Sequence, residues 1–184
     1  MHTTARQLLS IGGTLLTAAA AIPAVATAQE GTLQPVRVTA AAVSRADRLR
    51  IEADALPART DQFAKAARLY QRSAEARAPG DTATPTCLRT AAYLFYYSGD
   101  SRAGADLMEK AAQTSVEHGD VVHAANAYID AAFIAAEIQQ SDRAIEFGRR
   151  AELLATSPLL SDSQRDALRD RMAGWSQVAV ALKR

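Results

Sequence analysis

The sequence predicts an all-α protein made of a short stack of helix pairs, and three observations predict it. Beyond the N-terminal leader, no run alternates apolar and polar residues long enough to propose a strand. Residues that start and stop helices recur at short intervals instead. A pattern of small and large apolar residues also returns about every 40 positions, as expected when one supersecondary unit is repeated.

The segment from Met1 to Ala28 stands apart from that stack. Arg6 is its only arginine or lysine, Leu8 to Ile22 is apolar, and Pro23 precedes the small triplet Ala26-Thr27-Ala28. This is the order of a secretory signal peptide, cut between Ala28 and Gln29, which makes the expected location periplasmic or secreted. Gly12, Gly13, Thr14 and Thr17 dilute the stretch below the roughly 20 strongly apolar residues of an uncleaved anchor. No membrane insertion of the mature chain is expected. Residues 29–38 read as a flexible or extended segment ahead of the first helix.

Removing the leader takes Arg6 from the 21 basic residues, so 20 remain against 20 acidic ones. That balance argues against nucleic acid as a partner, because such binding depends on clustered Lys and Arg that release counterions from phosphates. The Arg-rich stretches 45–50 and 165–171 interleave Asp with Arg and read as solvated helix surface. Cys87 is the single cysteine, cannot form a disulfide within the chain, and reads as a small buried side chain in the first turn of a helix.

Seven helices follow in order. The first is expected from Thr39 to Leu56, ended by Pro57. The second is expected after Thr60 as N-cap and reaches about Arg77 before Pro79-Gly80. Thr84-Pro85 opens a third as cap and first residue, and Gly99 closes it. The fourth runs from Ser101 to Glu117 and ends at His118-Gly119. Asp120 caps a fifth reaching Gln139, and Ser141 caps a sixth reaching Ala155. Ser161 and Gln164, at capping-box spacing, start the seventh, whose Leu168, Met172, Trp175, Val178, Ala179 and Leu182 form one apolar stripe.

The internal match separates a stack from a single bundle. Ala91-Ala92-Tyr93-Leu94 returns as Ala131-Ala132-Phe133-Ile134, and the same offset takes Ser101 to Ser141, Gly104 to Ala144, Leu107 to Phe147 and Ala111 to Ala151. An earlier copy, at a slightly shorter offset, matches Ala66 to Gly104, Leu69 to Leu107, Tyr70 to Met108 and Ser73 to Ala111. Small residues fall where helices must cross closely, and larger ones fill the space between pairs.

These residues resemble tetratricopeptide repeats (TPR). The middle copy carries the resemblance, with Leu88, Ala91-Ala92 and Phe95 on its first helix, Gly99-Asp100 at the turn, and Gly104, Met108 and Ala111 on its second. The similarity covers residues 39–156. It departs from the usual period of roughly 34, and Gln139-Gln140 replaces the Gly-Asp turn in the third copy. The resemblance implies a TPR-like α-solenoid of three helix pairs, with residues 161–184 as a capping helix. It also implies a concave face, lined by the first helix of each pair, that binds a protein or peptide partner. Those positions fall on Arg89, Tyr93, Tyr96 and Tyr97 in the second pair, and on Asn126, Asp130, Phe133 and Glu137 in the third. Phe95 and Tyr128 are expected in the core, while Tyr93, Tyr96 and Tyr97 cover more of their helix than one buried side can take.

No catalytic constellation is assembled, and no enzyme activity, cofactor or metal is expected. His118 and His123 straddle the break at Gly119-Asp120 and so lack the i, i+4 face of a two-histidine metal site. No phosphate-binding glycine loop, Gly-x-Ser-x-Gly elbow or Cys-x-x-Cys pair occurs. The competing expectation is a structural seven-helix bundle that self-associates through its Val178 to Leu182 end, as a homo-oligomer without a peptide groove.

Overall fold

The computed structural model describes residues 43–182, which form seven α-helices with no strand among them. The expected signal peptide, the expected extended segment 29–38 and the expected helix start at Thr39 lie outside the described residues. The helices are α1 (Arg45–Asp54), α2 (Thr60–Glu75), α3 (Thr84–Tyr97), α4 (Ser101–Glu117), α5 (Val121–Glu137), α6 (Ser141–Ala155) and α7 (Asp162–Leu182).

Several boundaries differ from the sequence expectation, each for a local reason. Residues 43 and 44 are not helical: the Ser44 hydroxyl accepts the Asp47 N–H at 3.0 Å and caps α1 there. The helix stops at Asp54, ahead of Pro57, whose ring disfavours the helical region one residue earlier. Thr60 and Ser141 are the first residues of their helices and not the caps. Arg59 and Gln140 hold the cap positions and make no side-chain capping bond. Thr84 and Pro85 are likewise the first two residues of α3, behind Ala83, because the Asp81 carboxylate accepts the Ala83 N–H at 2.8 Å and leads the chain straight into the helix.

One turn serves three reversals. Gly99, Gly119 and Gln139 all have positive φ, at 94°, 72° and 60°. Their N–H groups donate to the carbonyls of Tyr96, Val116 and Ala136, and the N–H of the next residue donates to Phe95, Ser115 and Ala135. Paired bonds of this kind satisfy carbonyls that a helix end leaves open. Asp100 and Asp120 then cap the following helix by accepting the Ala103 and His123 N–H groups. The Gln139-Gln140 corner therefore keeps the backbone of a Gly-Asp corner, and α5 ends at Glu137 instead of Gln139. At α7, Ser161 and Gln164 exchange both bonds of the expected capping box.

Each helix packs on its sequence neighbours, and α7 returns across α5 and α6. The crossings use small residues as expected. A Cβ built on Gly104 would lie 3.0 Å from the Ala92 carbonyl oxygen, and Ala144, its counterpart in the next copy, is fully buried. The Ala-rich α5 sits among α4, α6 and α7 and has ten buried residues, from Ala124 to Ala135. Burying alanine costs no side-chain entropy and lets neighbouring backbones approach closely. The α7 stripe behaves as predicted: Leu168, Met172 and Trp175 are buried, with Val178, Ala179 and Leu182 packed at their edge. Trp175 fills the notch left by Gly148 of α6. At the other end, Leu49, Ala53 and Leu69 make a smaller cluster between α1 and α2, tied by the buried Ser73 hydroxyl donating to the Ala46 carbonyl at 2.7 Å. Cys87 is buried, consistent with a small core side chain.

Candidate functional site

Arg89, Tyr93 and Tyr97 follow one another at four-residue intervals, so they form a single stripe along α3. Asn126, Asp130, Phe133 and Glu137, at intervals of three and four, do the same on α5. Side chains at these positions bond the two helices together. The Tyr93 hydroxyl donates to Asp130 Oδ2 at 2.6 Å, and the Tyr96 hydroxyl donates to Glu137 Oε2 at 2.7 Å. Arg89 Nη2 lies 3.7 Å from the same Asp130 oxygen, with its guanidinium over the Tyr93 ring at 5.6 Å. Five of the eight residues expected to contact a partner, Arg89, Tyr93, Tyr96, Asp130 and Glu137, are thus linked across α3 and α5.

They do not all present themselves to solvent. Tyr97 is 48% exposed, Phe133 is 37% exposed, and Glu137 is exposed. Arg89, Tyr93, Tyr96 and Asn126 are half-buried. Asp130, only 9% exposed, is the exception. A buried carboxylate is tolerable only when donors surround it, and this one has Tyr93, Arg89 and Arg171. Asp130 is therefore the post to which its neighbours on α3 and α7 are tied. Burial, and then the Asp130 charge, pushes the Tyr93 hydroxyl up to about 12. Burial and the bond to Glu137 do the same for Tyr96, also to about 12. Phe95 and Tyr128 are in the core, as helical periodicity required.

Tyr97 is the centre of an aromatic group. Its ring stacks against Tyr93 at 6.4 Å, meets Tyr96 edge-on at 5.2 Å, and lies 6.4 Å from Phe63 of α2. Phe133, further along, stands edge-on to Trp175 at 5.7 Å.

Sequence reasoning missed two members of this surface. Phe63 lies in the first turn of α2, which runs antiparallel to α3 and so meets its last turn. The short α2–α3 connection carried that information, but no periodicity within α2 did. Arg171, expected to be solvated helix surface, instead reaches from α7 to Asn126 Oδ1 and Asp130 Oδ1. Nothing in the Asp/Arg alternation of α7 distinguishes it from its neighbours.

Among the described residues, no three His, Cys, Asp or Glu side chains come close enough to hold a metal ion. His123 Nδ1 is engaged with Asp120 at 2.7 Å. No described helix is long and apolar enough to cross a membrane. Compared with known protein families, curated proteins and solved structures, the chain matches none of them.

Proposed function

We propose that this chain is an exported protein–protein interaction scaffold of the cell envelope or periplasm. In this reading its helix pairs stack as a TPR-like solenoid capped by α7, and the α3–α5 face is the concave surface that holds a protein or peptide. The observation that carries the reading is the aromatic group around Tyr97, which stays accessible while cross-helix bonds from Tyr93 and Tyr96 fix its neighbours. Exposed aromatic surface is uncommon on a chain with no use for it, and tyrosine and arginine dominate binding hot spots. Rings already held in place lose little freedom on binding. The neighbour-by-neighbour packing order and the shared corner at Gly99, Gly119 and Gln139 are what a stack of pairs requires. The leader-like segment from Met1 to Ala28 supports export.

Affinity capture from envelope extracts with the parent chain, and with Tyr93→Ala and Tyr97→Ala together, tests the reading. A partner retained by the parent and lost by the variant is the expected result. A partner held equally by both removes the face from consideration, provided circular dichroism shows both folded. N-terminal sequencing of the exported product should start at Gln29.

A second reading is favoured by Val180, which is 56% exposed in the last turns of α7. In that reading the molecule is a structural bundle that self-associates through this end. Size-exclusion chromatography over a wide concentration range separates the two, because only self-association shifts the elution volume.

A further inference from the structure

We infer that the segment held by the α3–α5 face is an extended acidic one, with an Asp or Glu side chain on Arg89 and an aromatic side chain four residues away on the Tyr97 group. This deepens the partner-face reading and rests on it.

The argument starts from an imbalance of charge. Two guanidinium groups, from Arg89 and Arg171, converge on the single carboxylate of Asp130. Arg171 is well matched, since its two terminal nitrogens donate separately to Asn126 and Asp130. Arg89 is not. Its Nη2 makes only long approaches, 3.5 Å to the Tyr93 hydroxyl and 3.7 Å to Asp130, and its Nε is buried with no partner. The Tyr93 proton is already given to Asp130. One positive charge is left in surplus on a side chain 32% exposed, where attraction to an incoming anion is less screened than on open surface. A carboxylate can accept two parallel N–H bonds from guanidinium, which makes it the natural complement.

The far end of the face sets the opposite condition. Glu137 is exposed there beside Tyr96, so a second acidic group is repelled and the aromatic group is what remains to be covered. Arg89 and Tyr97 are eight residues apart on one helix, about 12 Å at 1.5 Å per residue. An extended chain advances about 3.3 Å per residue and returns its side chains to the same face at even spacings, so four residues span the gap. The expected pattern is an acidic residue and, four positions from it, an aromatic one. The ligand carboxylate is assigned to a side chain within the segment.

An array of immobilised random dodecapeptides with amidated C-termini, probed with the purified exported protein, tests this. Retained peptides should be enriched in Asp or Glu with an aromatic residue four positions away. For the tightest peptide, fluorescence anisotropy should show at least about tenfold weaker binding on Glu→Gln in the peptide, on Arg89→Gln, and on Tyr97→Ala. Arg89→Lys should retain part of the affinity. The peptide's Glu→Gln effect should vanish in the Arg89→Gln background, as coupling of the two groups requires. Retained peptides without acidic residues, whose binding is still lost in Tyr97→Ala, overturn the acidic assignment and leave the partner face standing. Binding only to peptides with a free C-terminal carboxylate also overturns it. If no peptide is retained on the amidated array or on one with free C-termini, both this inference and the reading it rests on fail.

Discussion

Gly148 on α6 and Trp175 on α7 can be set against each other experimentally. A Cβ placed on Gly148 would lie 2.1 Å from Trp175 Nε1, 2.5 Å from Cε2 and 2.9 Å from Cζ2. Ordinary contact begins near 3.4 Å, so the ring would have to retreat by more than 1 Å. It has nowhere to go, being 2% exposed with Phe133 edge-on to it. Overpacking of this kind costs about 1–3 kcal/mol, and ejecting the ring outright costs about 3–5 kcal/mol, as a Trp→Ala truncation does. Alanine recovers up to about 1 kcal/mol over glycine inside a helix. Gly148→Ala should therefore destabilise the protein by about 2 kcal/mol net, lowering Tm by about 4–8 °C for a domain of this size. The emission of Trp175, the only tryptophan, should shift to the red. In a Trp175→Ala background the clash is absent, so the same Gly148→Ala change should become stabilising by up to about 1 kcal/mol. Urea unfolding followed by circular dichroism reads all four proteins. The reasoning is refuted if Gly148→Ala matches the parent, or if its cost is the same with and without Trp175.

Three further outcomes follow from the geometry. Gln139→Gly with Gln140→Asp should raise stability by about 2 kcal/mol, about 1 from relieving positive φ on a residue with a Cβ and about 1 from adding a cap; the urea midpoint reports it. Tyr70, Tyr93 and Tyr96 are all raised to about 12, mainly by burial; since their folded values lie above the ordinary 10.0, the stabilisation linked to them is full below pH 10 and lost as pH rises toward 12. Phenolate absorbance should show these three titrating late, and Asp130→Asn should bring Tyr93 down. Arg77, whose side chain is only 7% exposed, pairs with Asp47 at 3.0 Å and Asp81 at 2.9 Å. The Ser44 hydroxyl and Arg77 hold Asp47 below its usual range, while the Ala83 N–H and Arg77 do so for Asp81. Their contribution is present above about pH 4 and lost as pH falls through the depressed values, so Arg77→Met should flatten the acid limb of a stability–pH curve.

Signals carried by neighbouring residues were legible in the sequence. Asp120 as a cap, the Ser161–Gln164 box, the glycine corners and the α7 stripe depend on contacts within one turn or one face, and the structure has each of them. Ala83 and Arg59 at cap positions were not legible, because preceding turns decided them where cap preference pointed to the next residue. Gln139 was seen as a departure from glycine, yet only the backbone shows that it accepts the glycine conformation. The candidate face was legible as two stripes, since the spacing of three and four survives in the sequence. Its internal bonding was not. Asp130 is buried because donors arrive from α3 and α7, far away along the chain, and no local pattern encodes such a meeting.

Glu109 on α4 has a mechanical consequence. It accepts from Arg143 at 2.8 Å and from Arg150 at 3.3 Å, both on α6, so it fastens two helices that are not sequence neighbours. Tyr93 and Tyr96 likewise fasten α3 to α5. Both sets tie together helices that are not sequence neighbours, whereas among the described residues no side-chain hydrogen bond or ion pair spans α1 to α3 or α2 to α4. Flexure under thermal or applied force should gather in the N-terminal third, leaving the rest to move as a rigid block.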